Sequence, residues 1–181
     1  MKKMLLLICV GIIVFGAGQA MAESKPVQLS LTPDVAIYDR TTRIEGFSLG
    51  FWSENPQSAF ALGLVNGSTG DSVGFTWGIL VNYADNYKGV QWSIVNYNKK
   101  NFTGWQNALY NHTGGMMKGL QTGVVNYAEN FKGLQLGIIN YAERASGGVQ
   151  IGVINILPEN RWFTGLPGEL APGMVIVNWR F

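Results

Sequence analysis

The phrase GLQLGIIN at residues 133–140 returns as GVQIGVIN at 148–155. Repetition at so short a period constrains the fold more than any other property of the chain. Aligned on its asparagine, the unit recurs as ALGLVN at Asn66, GILVN at Asn82, WSIVN at Asn96, NALYN at Asn111, TGVVN at Asn126, LGIIN at Asn140 and IGVIN at Asn155. The spacings are 16, 14, 15, 15, 14 and 15. A weaker copy, GFSLGFWS, ends at Ser53, and MVIVNWRF aligns through Asn178.

Each unit combines about nine residues rich in Val, Ile, Leu, Trp and Tyr with five or six of turn type, as in AENFKG, ADNYKG and ERASGG. No unit has room for a helix and a strand. A parallel crossover in a flat sheet needs a dozen or more residues, so such short links imply antiparallel hairpins or a tightly wound solenoid. The wavering period favours hairpins. The expected fold is therefore all-β, an antiparallel up-and-down meander closing into a small barrel of about ten strands. A β-solenoid or an open β-sheet is the alternative.

Strict alternation along 134–141 puts Leu134, Leu136 and Ile138 on one face and Gln135, Gly137, Ile139 and Tyr141 on the other. Across the units the first face is apolar except for Asn107 and Thr122. From Gly89 to Leu157 all charged residues fall in the predicted turns: Lys99, Lys100, Lys118, Glu129, Lys132, Glu143 and Arg144. A wet sheet face normally carries such residues, and a lipid-facing strand does not. The expectation is a barrel with aliphatic residues toward lipid. Its lumen would be lined by Gln91, Gln106, Gln121, Gln135 and Gln150, with Gly123, Gly137 and Gly152 fitting a narrow, filled, non-conducting bore. Tyr83, Tyr97, Tyr127 and Tyr141 would form an interfacial girdle at opposite rims.

The N-terminus reads as an export signal: a basic MKK, an apolar run from Met4 to Gly18, and small residues at Ala20 and Ala22. The expected organisation is a signal peptide over 1–22 and one domain over 23–181. Cys9 lies in the signal and follows Ile8, where a lipoprotein signal would carry a small residue. Without Lys2 and Lys3 the 13 basic residues become 11, against 11 acidic, so net charge is near zero and no nucleic-acid footprint is present. The mature chain has no cysteine for thiol or disulfide chemistry.

Val177, Trp179 and Phe181 form an alternating apolar terminus similar to the last strand of bacterial outer-membrane barrels. The tandem G-(L/V)-Q-x-G-(I/V)-(I/V)-N units over roughly 46–181, together with the signal and this terminus, resemble the surface repeat-containing proteins of Gram-negative bacteria. That resemblance implies an outer-membrane or cell-surface location, with outer-membrane lipid and the outer-membrane assembly machinery as partners. It implies no reaction, metal or cofactor. The sole histidine, His112, has no triad partner at a telling spacing, and the glycines open no phosphate loop. The expected function is structural or surface display. The alternative is a soluble or surface-attached β module that binds a lipophilic ligand or a protein.

Overall fold

The computed structural model describes residues 24–181; the expected leader, with Cys9, lies outside the described residues. Seven strand elements follow in order: β1 (Ser24–Thr32), β2 (Val35–Ala36), β3 (Arg43–Asn55), β4 (Ser58–Trp92), β5 (Val95–Asn98), β6 (Phe102–Ile156) and β7 (Gly173–Arg180). At about 3.3 Å per residue, β6 would run roughly 180 Å if straight, several times the span of a domain this size. It winds instead. The chain forms a β-solenoid of about 6 turns.

The pairings are mostly parallel. Lys88, Gly89, Val90 and Gln91 of β4 lie beside Thr103, Gly104, Trp105 and Gln106 of β6, and Asn96 of β5 lies beside Asn111. β1, β3 and β4 are likewise parallel, with Leu29 beside Leu49 and Leu49 beside Leu62. Among the described strands, the β1–β2 hairpin and the β6–β7 pair are antiparallel. The closed antiparallel barrel expected from the sequence is therefore corrected, as is the open sheet, in favour of the solenoid.

The physical reason is the spacing between the two buried amides. In the coil 119–133 the buried residues are Gln121, Asn126, Ala128 and Phe131. Gln121 and Asn126 are five apart, an odd number, so no single pleated strand could bury both. The chain turns a corner between them. Val124 and Val125, two consecutive outward residues, mark it. Each coil thus has three sides: a first from Gly119 to Val124, a second from Val125 to Ala128, and a third from Glu129 to Lys132. The segment read as a turn is this third side, pinned by Phe131, which is fully buried. The dozen residues a parallel connection needs are supplied by the other two sides of the same coil.

Glycine makes the return corner. Gly89, Gly104, Gly119 and Gly133 all have positive φ, and a Cβ on each would sit 1.9–2.2 Å from the carbonyl oxygen of the glycine one coil earlier. Tyr87, Phe102, Met117 and Phe131 stack inside this corner beside Ala84, Ala128, Ala142 and Ala145.

The C-terminal end is closed. β7 runs back along the last coil, pairing Trp179 with Val149, Asn178 with Gln150 and Val177 with Ile151. The terminal VNW is thus no further copy of the repeat, because its direction is reversed. Val177 and Trp179 share the outward face of Ile151 and Val149, and Phe181 is exposed beyond the strand.

Gly119→Ala, which forces a Cβ against backbone at positive φ, should destabilise by at least about 3 kcal/mol in urea unfolding. Gly70 has φ +61 and nothing within 4 Å of the point where a Cβ would stand, so Gly70→Ala should cost only about 1–2 kcal/mol.

Candidate docking surface

Two amide ladders fill the interior. Asn66 Nδ2 donates to Asn82 Oδ1 (3.1 Å), and the relay continues through Asn96, Asn111, Asn126, Asn140 and Asn155 at 2.8–3.0 Å. Each Nδ2 also reaches a carbonyl of the next coil, as Asn126 does at Leu136 (3.0 Å) and Asn140 at Ile151 (3.0 Å). The glutamines run the opposite way: Gln121 donates to Gln106 (2.8 Å), Gln135 to Gln121 (2.7 Å) and Gln150 to Gln135 (2.7 Å). All five glutamines expected in a lumen, Gln91, Gln106, Gln121, Gln135 and Gln150, are fully buried. They line no bore. Gly123, Gly137 and Gly152 stand beside them where a Cβ would meet backbone oxygen at 1.9–2.7 Å.

With amides inside, the hydrocarbon is outside. The first side stacks Val27, Phe47, Phe60, Val90, Trp105 and Val149 in one column, and Leu29, Leu49, Leu62, Trp92 and Ile151 in the next. Phe60 stacks on Phe47 and Phe75 with ring centroids 5.8 and 5.2 Å apart. Its two polar members satisfy each other, Thr122 Oγ1 donating to Asn107 Oδ1 at 2.7 Å. No charged residue occurs on this side in any coil. Ten rungs at about 4.8 Å by five residues at about 3.3 Å give roughly 800 Å², above the roughly 300–600 Å² of the largest apolar patch on a typical monomer. A shallow groove of about 660 Å³ among Leu29, Leu49, Phe51, Leu62, Leu64 and Ile79 belongs to the same side.

The corner to the second side is a ridge of consecutive outward apolar pairs: Phe51-Trp52, Leu64-Val65, Ile79-Leu80, Ile94-Val95, Leu109-Tyr110, Val124-Val125, Ile138-Ile139 and Val153-Ile154. Phe51, Ile79, Leu109, Ile138 and Val153 on this ridge are 51–62 % exposed. The second side carries no charge between Val65 and Ile156.

Parallel rungs place Tyr83, Tyr97, Tyr127 and Tyr141 in one column on the second side, so the expected girdle at two opposite rims is corrected to a single border. His112 completes it, stacked between Tyr97 and Tyr127 with centroids 4.7 Å from each, and Tyr127 stacks on Tyr141 at 5.7 Å. Burial lowers the His112 pKa, keeping the ring neutral near pH 7. Tyr127 donates to Glu143, a bond that pushes the phenol up to about 12. Tyr83 lies across Gly67, accepts from Trp52 Nε1 (2.9 Å) and donates to Glu54; its pKa is raised by burial and by that carboxylate.

The third side holds the charge: Asp85, Lys88, Lys99, Lys100, Lys118, Glu129, Lys132, Glu143 and Arg144. Its carboxylates are engaged, Glu129 by Arg144, Glu143 by Tyr127 and Asp85 by the Gly70 N–H. Among the described residues no group of three or more His, Cys, Asp or Glu could hold a metal ion. No described helix is long and apolar enough to cross a membrane. Comparison with protein-family models, curated proteins and solved structures yields no match.

Sequence reasoning identified the aliphatic and glutamine positions but missed the asparagine ladder, which strict alternation assigns to the aliphatic face. The signal was present in the doubled aliphatics just before each asparagine.

Tyr87 is buried beneath the third side with its hydroxyl 2.6 Å from Thr76 Oγ1, and burial pushes its pKa up to about 12 from 10. The neutral phenol therefore contributes stability fully present below pH 10 and lost as pH rises toward about 12. Alkaline unfolding followed by circular dichroism should fall in that window, and Tyr87→Phe should make the decline shallower.

Proposed function

We propose that the chain is a non-catalytic structural module of a bacterial envelope surface that docks on lipid through its first and second sides, which carry no charge from Val65 to Ile156. The observation that carries this reading is the ridge of outward aliphatic pairs with uncharged sides falling away from both flanks. A second flat sheet could cover the first side alone, because the ridge is convex and the second side turns away. A bilayer interface accommodates both sides at once. The tyrosine column on the border with the charged third side suits the headgroup level, where amphipathic rings concentrate. The basic-apolar-small N-terminus supports export, and the charged third side would face water as the displayed surface.

Mixed with phosphatidylcholine vesicles in a flotation gradient, the mature chain is expected to rise with the lipid and to stay there in high salt. Ile138→Asp leaves the interior untouched and puts a carboxylate on the ridge. It should weaken partitioning at least about 30-fold, or about 2 kcal/mol, with unchanged circular dichroism. Recovery of the wild-type chain at the bottom of the gradient as a lipid-free dimer or monomer would refute lipid docking.

A further inference from the structure

The uncharged sector has two borders, and they differ in charge. On the second-side border the tyrosine column is followed two residues later by Asp85, Lys99, Glu129 and Glu143. On the first-side border, one residue before each corner glycine, stand Lys88, Thr103, Lys118 and Lys132, in register because Lys88 lies beside Thr103 and the glycines stack coil on coil. These three lysines are exposed, and none takes part in the ion pairs or hydrogen bonds formed by the described arginines and carboxylates. Across residues 85–144 the third side carries six basic groups against three acidic, a net +3, within a mature chain whose total is near zero.

Building on lipid docking as proposed above, we infer that the membrane partner is anionic and that Lys88, Lys118 and Lys132 bind the phosphates of its headgroups. The placement suits the task. Val90, Leu120 and Leu134 follow these lysines after one glycine, so seating the first side in the acyl region holds the ammonium groups at phosphate height. Lysine stems lie along apolar surface while the head reaches polar groups. A polybasic row near an anionic leaflet gains from each cation. On the opposite border Glu129 is neutralised by Arg144, and Glu143, bonded to a neutral phenol, is repelled by the same surface, which rolls the solenoid toward its first side and lifts the Tyr127–Glu143 border outward.

The test compares vesicles of phosphatidylcholine alone with vesicles of equal parts phosphatidylcholine and phosphatidylglycerol. The full mature chain is expected to bind both and to bind the anionic vesicles about 100-fold more tightly at low salt, at roughly fivefold per lysine. The gain should shrink as salt rises. The triple variant Lys88→Gln, Lys118→Gln, Lys132→Gln is expected to bind the two vesicles about equally, with its affinity for phosphatidylcholine unchanged. Lys99→Gln with Lys100→Gln, on the other border and the middle of the third side, should keep most of the gain. Equal binding of the wild-type chain to both compositions, or a gain that survives the triple substitution, would overturn the lysine site while leaving lipid docking intact. Failure to bind either vesicle would overturn both.

Discussion

The asparagine relay is the interaction on which the rest depends. Each amide in it donates to the asparagine of the next coil and to a backbone carbonyl beyond the corner, so one side chain fixes both coil register and coil shape. A slip of one residue would orphan every amide in a dry interior, at roughly 1–3 kcal/mol each. The glutamine relay runs in the opposite direction and locks the first side independently. That relay ends at the Gln91 Nε2 and Gln150 Oε1 atoms, which lack partners because Thr76 and Asn178 stand where a further glutamine would.

Filling the core with amides rather than aliphatics inverts the usual distribution of polarity. The described core hydrophobics are few, chiefly Tyr87, Phe102, Met117, Phe131, Leu157 and alanines, whereas most Val, Ile, Leu and Trp of the first and second sides reach the surface. Such a molecule keeps its fold through hydrogen bonds that close within the chain, a requirement shared by every structure that sits against hydrocarbon. Between Val65 and Ile156 only the third side has the charge that water rewards. Structure and proposed function thus follow from one partition: amides in, hydrocarbon on two sides, charge on the third.

Much of this partition was legible in the sequence. The repeat, the confinement of charge to one segment of each unit, the outward Leu134, Leu136 and Ile138 and the inward Gln135 all come from reading periods. The corner did not. Alternation carried through 138–141 puts Asn140 outside and Tyr141 inside, whereas the chain bends at Ile138-Ile139 and both assignments reverse. The third side was hidden because Glu129, Asn130 and Lys132 are ordinary turn residues, and only the lone Phe131 among them shows that the segment packs inward. The reversal of β7 was hidden for a different reason: VNW matches the repeat in composition, and a capping strand must match the outward and inward chemistry of the coil it covers. The lack of charge on the first and second sides, from which lipid contact is proposed, survives the change from barrel to solenoid.

One measurement addresses the corner and its environment together: a scan of single spin labels at 136, 138, 139, 141 and 144 on vesicle-bound protein, recording accessibility to oxygen and to a water-soluble nickel chelate. The three-sided coil is expected to give high oxygen accessibility at the consecutive positions 138 and 139 as well as at 136, an interfacial value at 141, and access to the nickel chelate at 144. An alternating pattern, with 136 and 138 alike and 139 and 141 together in the opposite class, would mean a flat strand in place of the corner and would contradict the account.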